Sequence, residues 1–248
     1  MQQVKIDLHI HSVLSPCGDL LMTPKNIIKK AVKKNIKLIA ITDHNSAKNV
    51  NVTLELARDY PITVVPGIEV ETKEEVHVLC LFKKLSPLLR LQDYIYSNLP
   101  DEENDEEIFG PQIITDQNDE FVKKEKKLLA TASLIGFNEL VNRVQKLKGL
   151  VIPSHIDKEF GLIKNLGLIP EDLSLPVLEI FKKTQIKDYL QEFPFLQEYN
   201  LIKNSDSHYL DEIEAQIEII LANQDADNFG INELFAFLRN RKDLIFLC

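Results

Sequence analysis

A chain of 248 residues is long enough to build one large α/β domain, and its 44% hydrophobic and 27% charged residues are ordinary for a globular protein, which speaks against disorder and against a membrane span. The net charge of −9, from 29 basic and 38 acidic residues, argues against a broad electrostatic footprint for nucleic acid but leaves room for a small phosphorylated substrate held by metal ions. Cys17, Cys80 and Cys248 are odd in number and lack CxxC spacing, and the chain opens on a strand rather than a signal peptide, so a reduced, cytoplasmic setting is expected.

Apolar and polar residues alternate from Val4 to His11, the signature of a two-faced strand. Val4, Ile6, Leu8 and Ile10 form its apolar face, expected to point outward to helices. Asp7, His9 and His11 form the other, with the two histidines roughly 6.6 Å apart along the strand, close enough to share a cation. A loop, Ser12 to Asp19, follows. Thr23-Pro24 then makes an N-cap and N1 pair for a helix whose apolar stripe is Ile27, Ile28, Ala31 and Val32.

Leu38 to Thr42 is a continuous apolar run, as in a strand covered on both sides, and it ends in Asp43-His44. A helix from Ala47 to Tyr60, a strand from Ile62 through Pro66-Gly67 to Glu71 and another from Val76 to Phe82 complete a β-α-β-α-β-β order. Residues 86–135 interrupt it with a helix from Pro87 to Leu99, an acidic run from Asp101 to Glu107, and a hairpin turned by Asp116-Gln117-Asn118-Asp119. This stretch reads as an inserted lid with too few apolar residues for a core of its own.

The rhythm resumes with a helix from Phe137 to Leu147 closed by Gly149, a strand from Leu150 to His155, a strand from Val177 to Phe181 and a helix from Ile186 to Phe193. A strand from Leu201 then ends in Asp206-Ser207-His208. A strand from Ile217 to Leu221 and a helix from Ile231 to Leu238 close the chain, and residues 212–248 are expected to pack on the barrel as an extension. All six histidines, His9, His11, His44, His77, His155 and His208, thus belong to a few strand-like segments. If those strands are parallel, their ends share one face, and the imidazoles with neighbouring carboxylates could form one metal-binding pocket.

His9-x-His11, Asp19 before Pro24, Thr42-Asp43-His44, Pro66-Gly67-Ile68-Glu69, His77, His155 and Ser205-Asp206-Ser207-His208 together resemble the PHP (polymerase and histidinol phosphatase) superfamily of metal-dependent phosphoesterases. The resemblance runs from residue 4 to about residue 210. It implies a distorted (β/α)7 TIM-like barrel over a single domain, with a trinuclear metal site on its carboxyl face. By position, one ion would be held by His9, His11, Glu69 and Asp206, a second by Glu69 as a bridge with His77 and His155, and a third by Asp19, His44 and His208. Mixed nitrogen and oxygen ligands without thiolate suit manganese, iron or zinc.

Such a centre would hydrolyse a phosphate monoester or diester by a metal-bridging hydroxide, without a serine or cysteine nucleophile. Ser12, Ser154 and Cys17 are then loop or packing residues. Aspartate at position 19 resembles the branch acting on nucleotide-like or other small phosphoesters. Rivals are a histidinol-phosphate phosphatase and a non-catalytic metal-bound module. Asp7 and Asp43 could orient ligand histidines, Asp43 equally a helix cap, while Lys158, Lys182 and Lys183 could grip a substrate phosphate.

Overall fold

Strand β1 (Gln2–Ile10) is hydrogen-bonded on both sides within a six-stranded sheet. The structure is a computed structural model that describes residues 2–167, 169–170, 173–181, 186–221 and 228–240. Helix α1 (Pro24–Lys33) starts as its sequence requires, with the Thr23 side chain accepting from the Asn26 backbone and Pro24 in the first turn. It leads to β2 (Leu38–Ile41), α2 (Val50–Leu56), β3 (Thr63–Glu71) and β4 (His77–Leu81). Next come α3 (Leu85–Ser97), a short α4 (Glu106–Phe109), and a hairpin of β5 (Ile113–Thr115) and β6 (Phe121–Lys124). The remaining elements are α5 (Phe137–Lys146), β7 (Leu150–Pro153), α6 (Leu162–Leu166), β8 (Val177–Glu179), α7 (Ile186–Glu192), β9 (Asn200–Ile202), β10 (Ile217–Leu221) and α8 (Ile231–Arg239).

The large sheet has the order β10-β1-β2-β3-β4-β7, and β8 pairs with β9 separately and in parallel. β1, β2 and β3 are mutually parallel, while β4 is antiparallel to both β3 and β7. The carboxyl ends of β1, β2, β3 and β7 therefore lie on the side where β4 begins, at His77. β10 accompanies only Gln2 to Ile6 of β1; beyond it, the segment after β9 takes over, with the His11 amide donating to the Ser207 carbonyl at 3.0 Å. On the far side, the Ile156 amide donates to the Glu179 carbonyl, tying the end of β8 to the end of β7. The result is a mixed α/β fold with a strongly curled sheet.

Two cores follow from the alternation of side chains. The outer one joins strand residues such as Ile39, Ile68 and Val78 to the apolar stripes of α1, α3 and α5. Inside the curl, Val4, Ile6 and Leu8 meet Leu38, Val65, Leu79 and Ile152 of the other strands and Leu234, Phe235 and Leu238 of α8. This reverses the expectation for β1: only Ile10 joins the outer core, whereas Val4, Ile6 and Leu8 face in. Alternation distinguishes two faces but does not say which is enclosed. A register irregularity between Asp7 and Ile10 exchanges the faces partway, so His9 and His11 can enter the space above the inner core.

One further expectation is corrected. Gly149 does not terminate α5 in the left-handed conformation; Lys148 does, at φ 63°, while a Cβ at Gly149 would lie 2.6 Å from Phe82 and Val144. Toward the end of the chain, β10 pairs with β1 and α8 supplies the floor of the inner core. The inserted stretch divides: α3 buries Leu88, Leu91 and Ile95 in the outer core, whereas every residue of β6 is exposed. Asp116 accepts the Asn118 and Glu120 amides, as the turn-rich sequence predicts. Lys182, Lys183 and Cys248 lie outside the described residues. No helix among the described residues is long and apolar enough to cross a membrane.

If α8 is integral to the fold, Phe235→Ala should cost about 3–5 kcal/mol in urea unfolding. A loss below about 0.5 kcal/mol, as for a surface site, would show that α8 is an appendage.

Candidate metal centre

Glu69 sits on β3 with its side chain fully buried, and five imidazoles surround it. His9 Nε2 and His77 Nδ1 stand 3.2 and 3.4 Å from Oε1, with His155 Nε2 at 3.6 Å. His11 Nε2 and His44 Nδ1 stand 3.4 and 3.2 Å from Oε2. Close strand approach makes this possible: a Cβ at Gly67 would fall 2.8 Å from Thr42 and 2.9 Å from Leu81. The Glu69 amide donates to the Asp43 carbonyl, extending the β2–β3 pairing to His44.

Asp206 enters from the segment after β9, not from the strand itself, and its φ of 52° turns it toward β1. Its Oδ1 lies 3.3 Å from His9 Nε2 and 3.5 Å from His11 Nε2. His208 completes the ring, stacked on His11 with centroids 4.2 Å apart. Eight of the nine residues expected as ligands are therefore brought together: His9, His11, His44, Glu69, His77, His155, Asp206 and His208. Asp19 is not, because its carboxylate accepts the Leu21 amide at 2.8 Å within its own loop. The Sγ of Cys17, two residues earlier, lies instead among His11, His44 and His208.

The hydrogen bonds behind the ring decide which nitrogens face inward. His9 Nδ1 lies 3.1 Å from each oxygen of Glu179, a carboxylate that can only accept, so Nδ1 carries a proton and, in the neutral ring that binds a cation, Nε2 presents the lone pair. Ser15 gives its hydroxyl proton to Asp43 and therefore accepts from His11 Nδ1, leaving His11 Nε2 as a lone pair too. These two Nε2 atoms face each other at 3.1 Å. His208 Nδ1 donates to the Asp206 carbonyl at 2.9 Å. Asp43 thus orients a histidine, through Ser15. Asp7 does not: it receives the Ser205 amide and hydroxyl, and burial lifts its carboxyl to about 7 although those bonds oppose the rise.

Glu179 escaped the sequence reading because it lies inside an apolar strand run. A lone carboxylate between Leu178 and Ile180 was the available signal. Its two oxygens serve His9, the Asn204 amide group and the His155 amide at once. Lys158 stands at the mouth, its Nζ 3.0 Å from Asp206 Oδ2 and over the Phe181 ring.

The field differs from ring to ring: burial, with His208 and His44 beside it, pushes His11 well below an ordinary imidazole. Burial opposes ionisation of Glu69, yet His9 and His77 hold its carboxyl well below the usual range. Burial likewise opposes charge on His9, but Glu69, Glu179 and Asp206 raise it well above an ordinary imidazole. Cys17 is pulled down to about 6 by His44 and His208 against the desolvation of its thiol. Even so, both Glu69 oxygens, His44 Nδ1 and His155 Nδ1 are buried without a hydrogen-bond partner among the described residues. A buried carboxylate and imidazoles converging with neither carboxylate oxygen hydrogen-bonded are what a cation's ligands require.

Comparison with known proteins bears on this centre. The PHP domain profile matches residues 7–165, well over half of the chain. The chain belongs to the PHP domain family. An uncharacterised protein of Methanocaldococcus jannaschii is 39% identical over 79 residues, 29% of this chain and 46% of that protein. The 5′-3′ exoribonuclease Rnm of Salmonella typhimurium and the phosphoribosyl 1,2-cyclic phosphate 1,2-diphosphodiesterase of Eggerthella lenta are each 31% identical over 80 residues, 30% of this chain and 26% and 29% of theirs. The matched stretches thus span less than half the length of these relatives. In fold, the PHP chain superposes with a TM-score of 0.65 on the lesion-specific endonuclease Q of Pyrococcus furiosus, at 17% identity over 96% of this chain and 56% of that one.

As the family's metal dependence requires, the residues of this PHP domain fit a cation-binding role, and the carboxylate behind His9 should matter to it. Glu179→Gln should weaken divalent-metal binding by about 10- to 100-fold in competition with a chelator, with the fold intact by circular dichroism. Unchanged affinity would show that His9 needs no such anchor.

Proposed function

We propose that this PHP domain is a metal-dependent phosphoesterase that hydrolyses a nucleotide-like or other small phosphate ester. The observation that carries the reading is Glu69, buried, with neither oxygen hydrogen-bonded among the described residues and five imidazoles around it. On this reading, His9, His11, Glu69 and Asp206 hold one divalent ion, Glu69, His77 and His155 a second, and the His44–His208 side a third, within a distorted (β/α)7 barrel closed by β8 and β9. Manganese, iron or zinc bound there would supply an activated water and neutralise charge on the phosphoryl oxygens.

The chain's own groups do the remaining work. Glu179 fixes the His9 tautomer and Asp43, through Ser15, fixes that of His11, so both Nε2 lone pairs stay aimed inward. Lys158, already beside Asp206, is placed to hold a substrate phosphate. Ser12 is occupied by Asp43 and Ser154 is buried, so neither is placed as a nucleophile.

Two half-exposed aromatic rings at the mouth favour a substrate carrying a base. Phe160 stacks on His77 with centroids 4.9 Å apart, and Phe181 lies under Lys158. The relatives named an exoribonuclease and an endonuclease also remove the argument from net charge against nucleic acid. An acidic surface does not prevent a local, metal-lined mouth from taking a phosphodiester.

Turnover of p-nitrophenyl phosphate, a 3′,5′-bisphosphonucleotide, histidinol phosphate and a short oligonucleotide by one metal-loaded preparation tests the reading. Nucleotide-like esters should be preferred. His9→Ala and Asp206→Ala, still folded, should lose hydrolysis, and parental rates in both would defeat the assignment. Preference for histidinol phosphate would reassign the substrate, and no turnover of any ester by loaded protein would favour a non-catalytic module. Lys158→Ala should raise KM with metal content unchanged; unaltered kinetics would remove Lys158 from substrate binding.

A further inference from the structure

The loop between β1 and α1 carries two anionic candidates, Cys17 and Asp19, and only one faces the imidazoles. The loop is wound tightly. The Gly18 amide donates to the Ser15 carbonyl, the Asp19 amide to the His208 carbonyl, and a Cβ at Gly18 would fall 2.5 Å from the Ser12 oxygen. This winding leaves the Asp19 carboxylate on the Leu21 amide. Cys17 Sγ and one ring nitrogen each from His11, His44 and His208 lie within 4.8 Å of one another.

The contacts behind these atoms decide which of them can serve as ligands. His208 commits Nδ1 to the Asp206 carbonyl, so the nitrogen it has left is an Nε2 lone pair. His44, 8% exposed, belongs both to this set and to one with Glu69 and His77, and its Nδ1 is the nitrogen against Glu69 Oε2 at 3.2 Å. His11 Nε2 already faces His9 Nε2 and belongs to the neighbouring set. That leaves a thiolate and two imidazoles, from Cys17, His44 and His208.

We propose that Cys17, in place of Asp19, supplies the anionic ligand of the third metal position, and that this position therefore selects zinc or ferrous iron over manganese. The inference rests on the metal centre proposed above and changes its chemistry. A soft thiolate disfavours hard, oxygen-seeking ions, whereas an all-nitrogen-and-oxygen set would accept them. Three protein ligands leave room for a solvent or phosphate oxygen, the pattern of catalytic rather than structural zinc sites.

Cobalt(II) is the probe, because thiolate coordination produces a near-ultraviolet charge-transfer band that nitrogen and oxygen ligands do not. Metal-free protein titrated with cobalt should develop this band. Cys17→Ser should lose it together with one ion per chain, and Asp19→Asn should keep both. In the parent protein, zinc should protect Cys17 from iodoacetamide, read by peptide mass spectrometry, which needs no variant to fold. Cobalt bound without the band, a band that persists in Cys17→Ser, loss of the band in Asp19→Asn, or alkylation of Cys17 at the same rate with and without zinc would each overturn the proposal while leaving the centre standing. Failure of the parent protein to bind any cobalt would instead remove the centre itself.

Discussion

A carboxylate buried without donors is the constraint around which this molecule is arranged. Removing an ion from water costs several kcal/mol even after the protein relaxes, and among the described residues neither oxygen of Glu69 has a hydrogen bond to repay that cost. It has imidazoles instead, drawn from β1, β4 and the ends of β2 and β7. Imidazoles and carboxylates gathered so closely, with the outer nitrogens of His9, His11 and His208 hydrogen-bonded away, make sense as a shared shell for cations. The fold serves this arrangement. Three parallel strands deliver residues at their carboxyl ends, and β4, running the other way, delivers His77 at its beginning.

The groups behind the ring matter as much as the ring. Glu179 and the Ser15–Asp43 pair set the tautomers of His9 and His11, and without them either imidazole could turn a proton toward the pocket. Local backbone cost accompanies the arrangement. Asn45, His155, Phe160 and Asp206 all adopt positive φ near the site, each at about 1–3 kcal/mol that the surrounding contacts must hold in place. The inner core supplies that rigidity, with α8 as its floor.

Much of this was legible in the sequence because the informative residues are chemically unusual. Six histidines at strand-like segments, Glu69 after Pro66-Gly67 and the Thr23-Pro24 cap all declare themselves by type and spacing. Other features depend on contacts between distant segments. The face exchange along β1 follows from its register with β2, and Gly149 is needed not to end α5 but because Phe82 and Val144 leave no room there for a Cβ. Glu179 meets His9 across 170 residues of chain. Spacing also could not choose between Cys17 and Asp19, since both lie in one loop and only its winding decides which faces inward.

The account therefore stands on Glu69 as a ligand and not merely a buried charge. Metal analysis of the parent protein and of Glu69→Gln, each incubated with divalent ions and then dialysed, tests this most directly. The account predicts three ions per chain in the parent and loss of those that share Glu69 in the variant. Equal metal content in the two proteins, with both folded, would contradict it.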